Sequence, residues 1–241
     1  MGGLGDTIPI LGAARAGVDI VSPEPRLIIF DFDGVVADSE ILASQVLAEG
    51  LTEIGLATTT EDAITSYIGL RFSDCMAAME QRLGRALPEG FLESKVATIH
   101  DRVIAEVEPV VGVLEFIQRY AGVARCIASS SSIDYIGRCL DRMAMTHLFE
   151  HRFSGQDVER GKPHPDLFLK AAASLGVPVA DCVVIEDSAT GVKAGKAADM
   201  LTIGLCAGRH ALDGHADRLA EAGADIVVPS YEEATRFLSG R

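Results

Sequence analysis

Tryptophan is absent from this 241-residue chain, and Phe, Trp and Tyr together make up 5% of it. A core of this protein therefore has to be built mainly from aliphatic side chains. Cysteines are few and scattered: Cys75, Cys126, Cys139, Cys182 and Cys206 are odd in number and form no CxxC pair. That argues against a disulfide framework or a zinc site and suits a reducing, cytoplasmic location. Basic residues are scarce, with 21 Lys and Arg against 35 Asp and Glu and a formal net charge of −14. A diffuse negative field disfavours nucleic acid and anionic membranes as partners. No apolar run approaches the ~20 residues that cross a bilayer. The stretch "MGGLGDTIPILGAARAGVDIVSPEPR" has no basic start leading into an apolar segment, so it is not expected to act as a secretion signal. Residues 1–24 read as an N-terminal extension. Internal repeats and low-complexity tracts are absent as well.

What is present is ordinary for a globular protein, with 48% hydrophobic and 23% charged residues. Short apolar runs at Leu27–Phe30, Ala124–Ala128, Cys182–Ile185, Leu201–Leu205 and Asp225–Val228 read as buried strands. Amphipathic helices are expected over Ile133–Met143, Pro165–Leu175 and Ala189–Ala197. Strands alternating with helices predict an α/β fold with a Rossmann-like parallel sheet covered on both faces. One interval breaks this rhythm. Residues 41–105 carry a helical pattern without a strand and are too long for a simple connection. They predict a small helical domain inserted into a core formed by residues 25–40 and 106–241.

In open parallel sheets, ligands bind at the carboxyl ends of the strands. The first strand runs into Asp31, Asp33 and Gly34 in "LIIFDFDGVVADSE". The next runs into Ser129, Ser130 and Ser131, with a serine run suited to starting a helix. The strand at 182–185 runs into Glu186, Asp187 and Ser188. "GKPHPD" places Lys162 before a proline, which favours an extended backbone. Each piece alone has a plain structural explanation: a turn, a helix cap or an exposed loop. Together they bring several carboxylates, a hydroxyl and one lysine to a single sheet edge. Carboxylates converging in that way repel one another unless a cation lies among them, and oxygen-only ligands suit Mg²⁺, which also binds substrate phosphate.

The combination DxDGxxxDSE, ASSSS, GKPxPDxF and IEDSxxG resembles the haloacid dehalogenase-like hydrolase superfamily, in its β-phosphoglucomutase-like and sugar-phosphatase branch. The resemblance spans about residues 26–230 and implies that the inserted helices are a cap. It further implies that Asp31 is the nucleophile that becomes phosphorylated and that Asp33 is the general acid and base. Ser129 and Lys162 would hold phosphoryl oxygens. Mg²⁺ would be bound by the Asp31 carboxylate, the Asp33 carbonyl and Asp187, with Glu186 in support. Gly34 would permit a sharp turn beside the site. By the same resemblance Asp33 sets the chain apart from dehalogenases, which lack it, and from phosphonatases, which need a cap lysine. The lysine between residues 41 and 105 is Lys95, expected on a solvated helix face.

The stretch "YIGLRFSD" resembles the family's cap loop, and by that resemblance Gly69 and Arg71 would be substrate-binding residues, with Ser130 and Ser131 as further pocket candidates. Mutases of this branch carry a histidine shortly after the first motif, whereas this chain reads "DSEILASQ". The expected activity is therefore hydrolysis of a small phosphorylated sugar or sugar acid such as 6-phosphogluconate. A phosphosugar mutase and a non-catalytic sugar-phosphate binder are the alternatives. The expected partner is a small phosphorylated metabolite, and the expected assembly is a monomer, with a dimer left open. His147 and His151 are four residues apart, but no third ligand accompanies them.

Overall fold

The computed structural model describes residues 24–68 and 72–240, so residues 1–23 of the expected N-terminal extension lie outside the described part. Six parallel strands form one sheet. They are β1 (Leu27–Phe30), β2 (Ala124–Ser129), β3 (Arg152–Ser154), β4 (Cys182–Glu186), β5 (Leu201–Leu205) and β6 (Ile226–Val228), in the spatial order β3-β2-β1-β4-β5-β6. The chain works outward from β1 on one side and then returns to build the other side from β4. This reversal places a crevice at the carboxyl ends of the central strands.

The strand sequences explain the layering. Side chains alternate across a strand, and in β1 both sets are apolar. Ile28 and Phe30 face one hydrophobic cluster, with Ile127, Val183 and Ile185 beside them. Leu27 and Ile29 face the other, with Cys126, Ala128 and Val184. The first face is covered by α5 (Val113–Arg119), α6 (Ile133–Arg142) and α10 (Tyr231–Leu238). The second is covered by α7 (Asp166–Ser174) and α8 (Ala189–Ala197), while α9 (His215–Glu221) packs with β5 and β6. Phe30 shows how firmly this layer is set. Its ring lies edge-on to Phe116 and Phe149, with centroids 6.0 and 5.6 Å away. Phe30→Ala is expected to cost about 3–5 kcal/mol.

The interval after β1 is helical, as its pattern predicts: α1 (Glu40–Glu53), α2 (Thr60–Tyr67), α3 (Phe72–Leu83) and α4 (Phe91–Glu106). A capping box starts α2, with Thr59 Oγ1 accepting from Asp62 N and Asp62 Oδ2 from Thr59 N, both at 3.0 Å. These helices bury their own cluster of Ala48, Leu51, Ala63, Tyr67, Met79 and Phe91. The two chain segments that connect them to the sheet run antiparallel. Asp38 N donates to the Glu108 carbonyl and Val110 N to the Val36 carbonyl, each at 2.9 Å. After a short 3-10 turn at Thr146–Leu148, the chain forms β3 and enters a second 3-10 turn at Gly155–Asp157. His147 lies in the first of these turns rather than on an α-helix that would align it with His151.

Candidate active site

β1 ends at Phe30, and its pairing with β4 continues one residue further through Asp31 N, which donates to the Ile185 carbonyl at 3.0 Å. Asp31 is thereby fixed at the crevice. The chain then folds back on itself, with Val36 N and Ala37 N both donating to the Phe32 carbonyl at 2.9 Å. Gly34 makes this turn at φ +74°, a region that favours glycine. A Cβ at this position would lie 1.8 Å from Asp187 Oδ2, so the glycine also lets the loop press against the end of β4.

Asp31, Glu186 and Asp187 are buried and bring one oxygen each within 4.8 Å of one another. A single buried ammonium serves two of them: Lys162 Nζ lies 2.7 Å from Asp31 Oδ1 and 2.5 Å from Glu186 Oε1. Burial works against the charged lysine, but the two carboxylates outweigh it and hold its pKa above the ordinary value. Asp31 is pushed well above the carboxylate range, first by burial and then by Glu186 and Asp187, with Lys162 opposing. The cluster thus holds more negative charge than its lysine neutralises. Its donor set is all oxygen, so these three carboxylates suit a hard cation. Among the described residues they are the one group of acids, histidines or cysteines placed to hold a metal.

Glu186 has a second task. Its Oε2 accepts from Ser188 N at 3.1 Å and from Ser188 Oγ at 2.9 Å, while Ser188 caps α8 through Gly191 N at 3.0 Å. Asp187 is faced by His210, whose Nε2 lies 2.9 Å from Oδ2. The ring is buried, which lowers its pKa, yet Asp187, Glu40 and Asp38 together raise it. His210 fits there because Gly34 and Gly208 have no Cβ; one on either would lie 2.7 Å from its Cε1.

Asp33 has different company. Ser39 Oγ donates to its Oδ1 and Ser131 Oγ to its Oδ2, both at 2.6 Å, and Tyr135 OH donates to Oδ1 at 3.1 Å. Ser129 is buried at the end of β2, and its Oγ accepts from Ser131 N at 3.1 Å. Ser130 is exposed at the same edge, and Ser132 is the serine that caps α6, through Tyr135 N.

A cavity of about 450 Å³ opens over this edge, lined by Asp31, Asp33, Lys162 and Asp187 together with Ser129, Ser130 and Ser131. The structure therefore gathers Asp31, Asp33, Gly34, Ser129, Ser130, Ser131, Lys162, Glu186 and Asp187 at one sheet edge. Gly69 and Arg71 lie outside the described residues, although the neighbouring Ile68 lines the cavity. Lys95 pairs with Glu53 at 3.0 Å and does not line it.

Three residues that the sequence reasoning passed over also meet here. Tyr135 and His210 had no local signal, because their partners lie in distant parts of the chain. Glu40 sits inside the quoted "DSE" and lines the cavity. Burial, then the charges of Asp33 and Asp187, push its carboxyl up to about 7, with His210 opposing.

Comparison with known proteins gives a consistent set of relatives. The family model for haloacid dehalogenase-like hydrolase matches residues 28–205. 6-Phosphogluconate phosphatase of Escherichia coli K12 is 26% identical over 188 residues, covering 76% of this chain and 83% of that protein. Hexitol phosphatase B of the same organism is 29% identical over 181 residues, covering 73% of this chain and 81% of that protein. A hydrolase from Deinococcus radiodurans, solved with bound phosphate and sodium, superimposes with a TM-score of 0.77 at 33% identity, covering 90% of this chain and 96% of that one.

Proposed function

The chain belongs to the haloacid dehalogenase-like hydrolase family, and from that premise we propose that it is a Mg²⁺-dependent phosphatase. Its substrate on this reading is a small phosphorylated sugar or sugar acid, and its intermediate is an aspartyl phosphate on Asp31. The observation that carries the reading is the pairing of two unlike carboxylates at the end of β1. Asp31 is buried against Lys162, whereas Asp33 is held by three hydroxyls. The curated relatives named for 6-phosphogluconate and hexitol phosphatase activities support the substrate class.

The residues divide the work as follows. The Asp31 carboxylate attacks phosphorus, forming an O–P bond as the bond to the leaving oxygen breaks. Asp33 gives that oxygen its proton. It then takes a proton from a water that attacks the phosphorylated Asp31, releasing phosphate and restoring both carboxyls. Serine and tyrosine hydroxyls can either donate or accept, so Ser39, Ser131 and Tyr135 can satisfy Asp33 in both protonation states. Lys162 holds Asp31 in place and, with Ser129, supports the phosphoryl oxygens as their charge shifts. Mg²⁺ would be held by Asp31, Asp187 and the Asp33 carbonyl, with Glu186 in support; bound there, it shields the charge between an anionic nucleophile and an anionic phosphate. The charge excess of the acid cluster fits such an ion. Residues 41–105 act as a cap over the cavity and close on the paired linkers.

The test is phosphate release with Mg²⁺ from a panel of sugar, sugar-acid and polyol phosphates, with β-glucose 1-phosphate followed in parallel for glucose 6-phosphate. Free phosphate from a small related set of compounds is expected. Isomerisation without net phosphate release would replace this reading with a mutase.

A further inference from the structure

The acids that line the cavity can be accounted for one by one. Asp31 is paired with Lys162, Asp187 faces His210, and Asp33 accepts from Ser39, Ser131 and Tyr135. Glu40 is the exception. It lines the cavity from the first turn of α1, and among the described residues it has no hydrogen-bond or ion-pair partner.

A glutamate at that position could simply complement the helix dipole. A dipole role, however, needs neither burial nor proximity to other acids. Glu40 is partly withdrawn from water, and its carboxyl feels the charges of Asp33, Asp187 and His210 across the cavity. Ser39, at the helix start, makes no side-chain cap bond and donates to Asp33 instead. The sequence therefore keeps a partly desolvated acceptor in the cavity at an electrostatic cost, beside the residue that would protonate the leaving oxygen.

We infer that Glu40 reads the leaving group: it accepts hydrogen bonds from hydroxyls next to the phosphorylated carbon and selects an uncharged sugar or polyol phosphate over a sugar-acid phosphate of the same length. This inference rests on the phosphatase reading and narrows its substrate class. Substrate hydroxyls bring the donors that the carboxylate lacks, and a site built for a hydroxyl discriminates strongly against analogues without one. A substrate carboxylate would instead add a negative charge to a cavity that already holds Asp31, Asp33 and Asp187.

The experiment compares Glu40→Gln with wild type at pH 8, using kcat/KM for three phosphoesters with Mg²⁺. They are a hexitol phosphate, 6-phosphogluconate, and p-nitrophenyl phosphate, whose leaving group has no neighbouring hydroxyl. Wild type is expected to favour the hexitol phosphate over 6-phosphogluconate. In Glu40→Gln, whose amide oxygen still accepts but without the charge, the hexitol to p-nitrophenyl ratio should fall about fivefold to tenfold, and in Glu40→Ser, which withdraws the acceptor, about tenfold to a hundredfold. The preference for hexitol phosphate over 6-phosphogluconate should shrink with it, because one of the negative charges lining the cavity is gone. Glu40→Ser, assayed in the same way, guards against a folding defect of a single variant. Ratios that stay within about threefold of wild type overturn the inference while leaving the phosphatase reading intact. So does a wild type that prefers 6-phosphogluconate. No phosphate release from any of the three esters would remove the phosphatase reading and this inference together.

Discussion

Lys162 is the residue whose loss should be felt most clearly, and the structure sets the size and the pH dependence of the effect. Its ammonium is buried and shared by Asp31 and Glu186. Lys162→Met keeps the side-chain length and removes the charge, leaving two carboxylates in the interior without their cation. Breaking a buried pair in this way costs about 3–5 kcal/mol. For a chain of this size each kcal/mol moves Tm by about 2–4 °C, so a fall of about 6–20 °C is expected in EDTA. The cost should depend on pH. Asp31 is held well above its ordinary range in the folded protein, so the folded state binds the extra proton. Stability therefore falls as pH rises from about 4, the unfolded value, through the raised folded value. Lys162 opposes that rise, so removing it extends the window upward and deepens the loss at its top. The lysine's own pKa is raised; its contribution is complete below about 10.4 and adds no slope near neutrality. Urea unfolding of both proteins in EDTA between pH 5 and 8.5 measures the difference. A variant within about 0.5 kcal/mol of wild type at pH 8 would refute the argument that Lys162 compensates a charge-rich cluster.

Further outcomes follow from the same geometry. Asp33→Asn should lower turnover by about 10²–10⁴-fold, the usual worth of a positioned acid and base, with an unchanged far-UV circular dichroism spectrum; wild-type turnover would remove Asp33 from the chemistry. Gly34→Ala introduces a Cβ 1.8 Å from Asp187 Oδ2 at φ +74°. It should weaken Mg²⁺ binding, read by calorimetry, and cost about 1–3 kcal/mol of stability from the backbone alone. The paired linkers predict that helices α1–α4 close over a ligand. Solution scattering should show a more compact particle with Mg²⁺ and a fluoride phosphate mimic, and an unchanged profile would count against closure.

The central strands were legible because β1, β4 and β5 are short apolar runs covered on both faces. β3 was not. It has three residues, only Phe153 is apolar, and it sits at the sheet edge, so its strand character comes from pairing with Ile127–Ser129. The acids at the ends of β1 and β4 were legible because charge directly after a buried strand is unusual and recurs at one edge. Lys162 was collected at that edge from its place in "GKPHPD" between the strands, its phosphoryl-binding role came from the family resemblance, and the structure brings its ammonium to Asp31 across 131 positions of sequence. His210 and Tyr135 lay beyond reach, since each gains its place from contacts with residues more than 20 positions away. Glu40 was visible as a letter in a quoted motif, but only the cavity reveals that, among the described residues, its neighbours are satisfied and it is not.

The most direct test of the account is to trap the intermediate. A substrate accepted in the phosphate-release panel, labelled with radioactive phosphate, would be mixed with the Mg²⁺-loaded enzyme and quenched in acid within a single turnover. Peptide mapping should then find the label on Asp31, and Asp31→Asn should carry none. Label on another residue, Ser129 included, or turnover by wild type without any label on the protein, would contradict the assignment of Asp31 as the nucleophile.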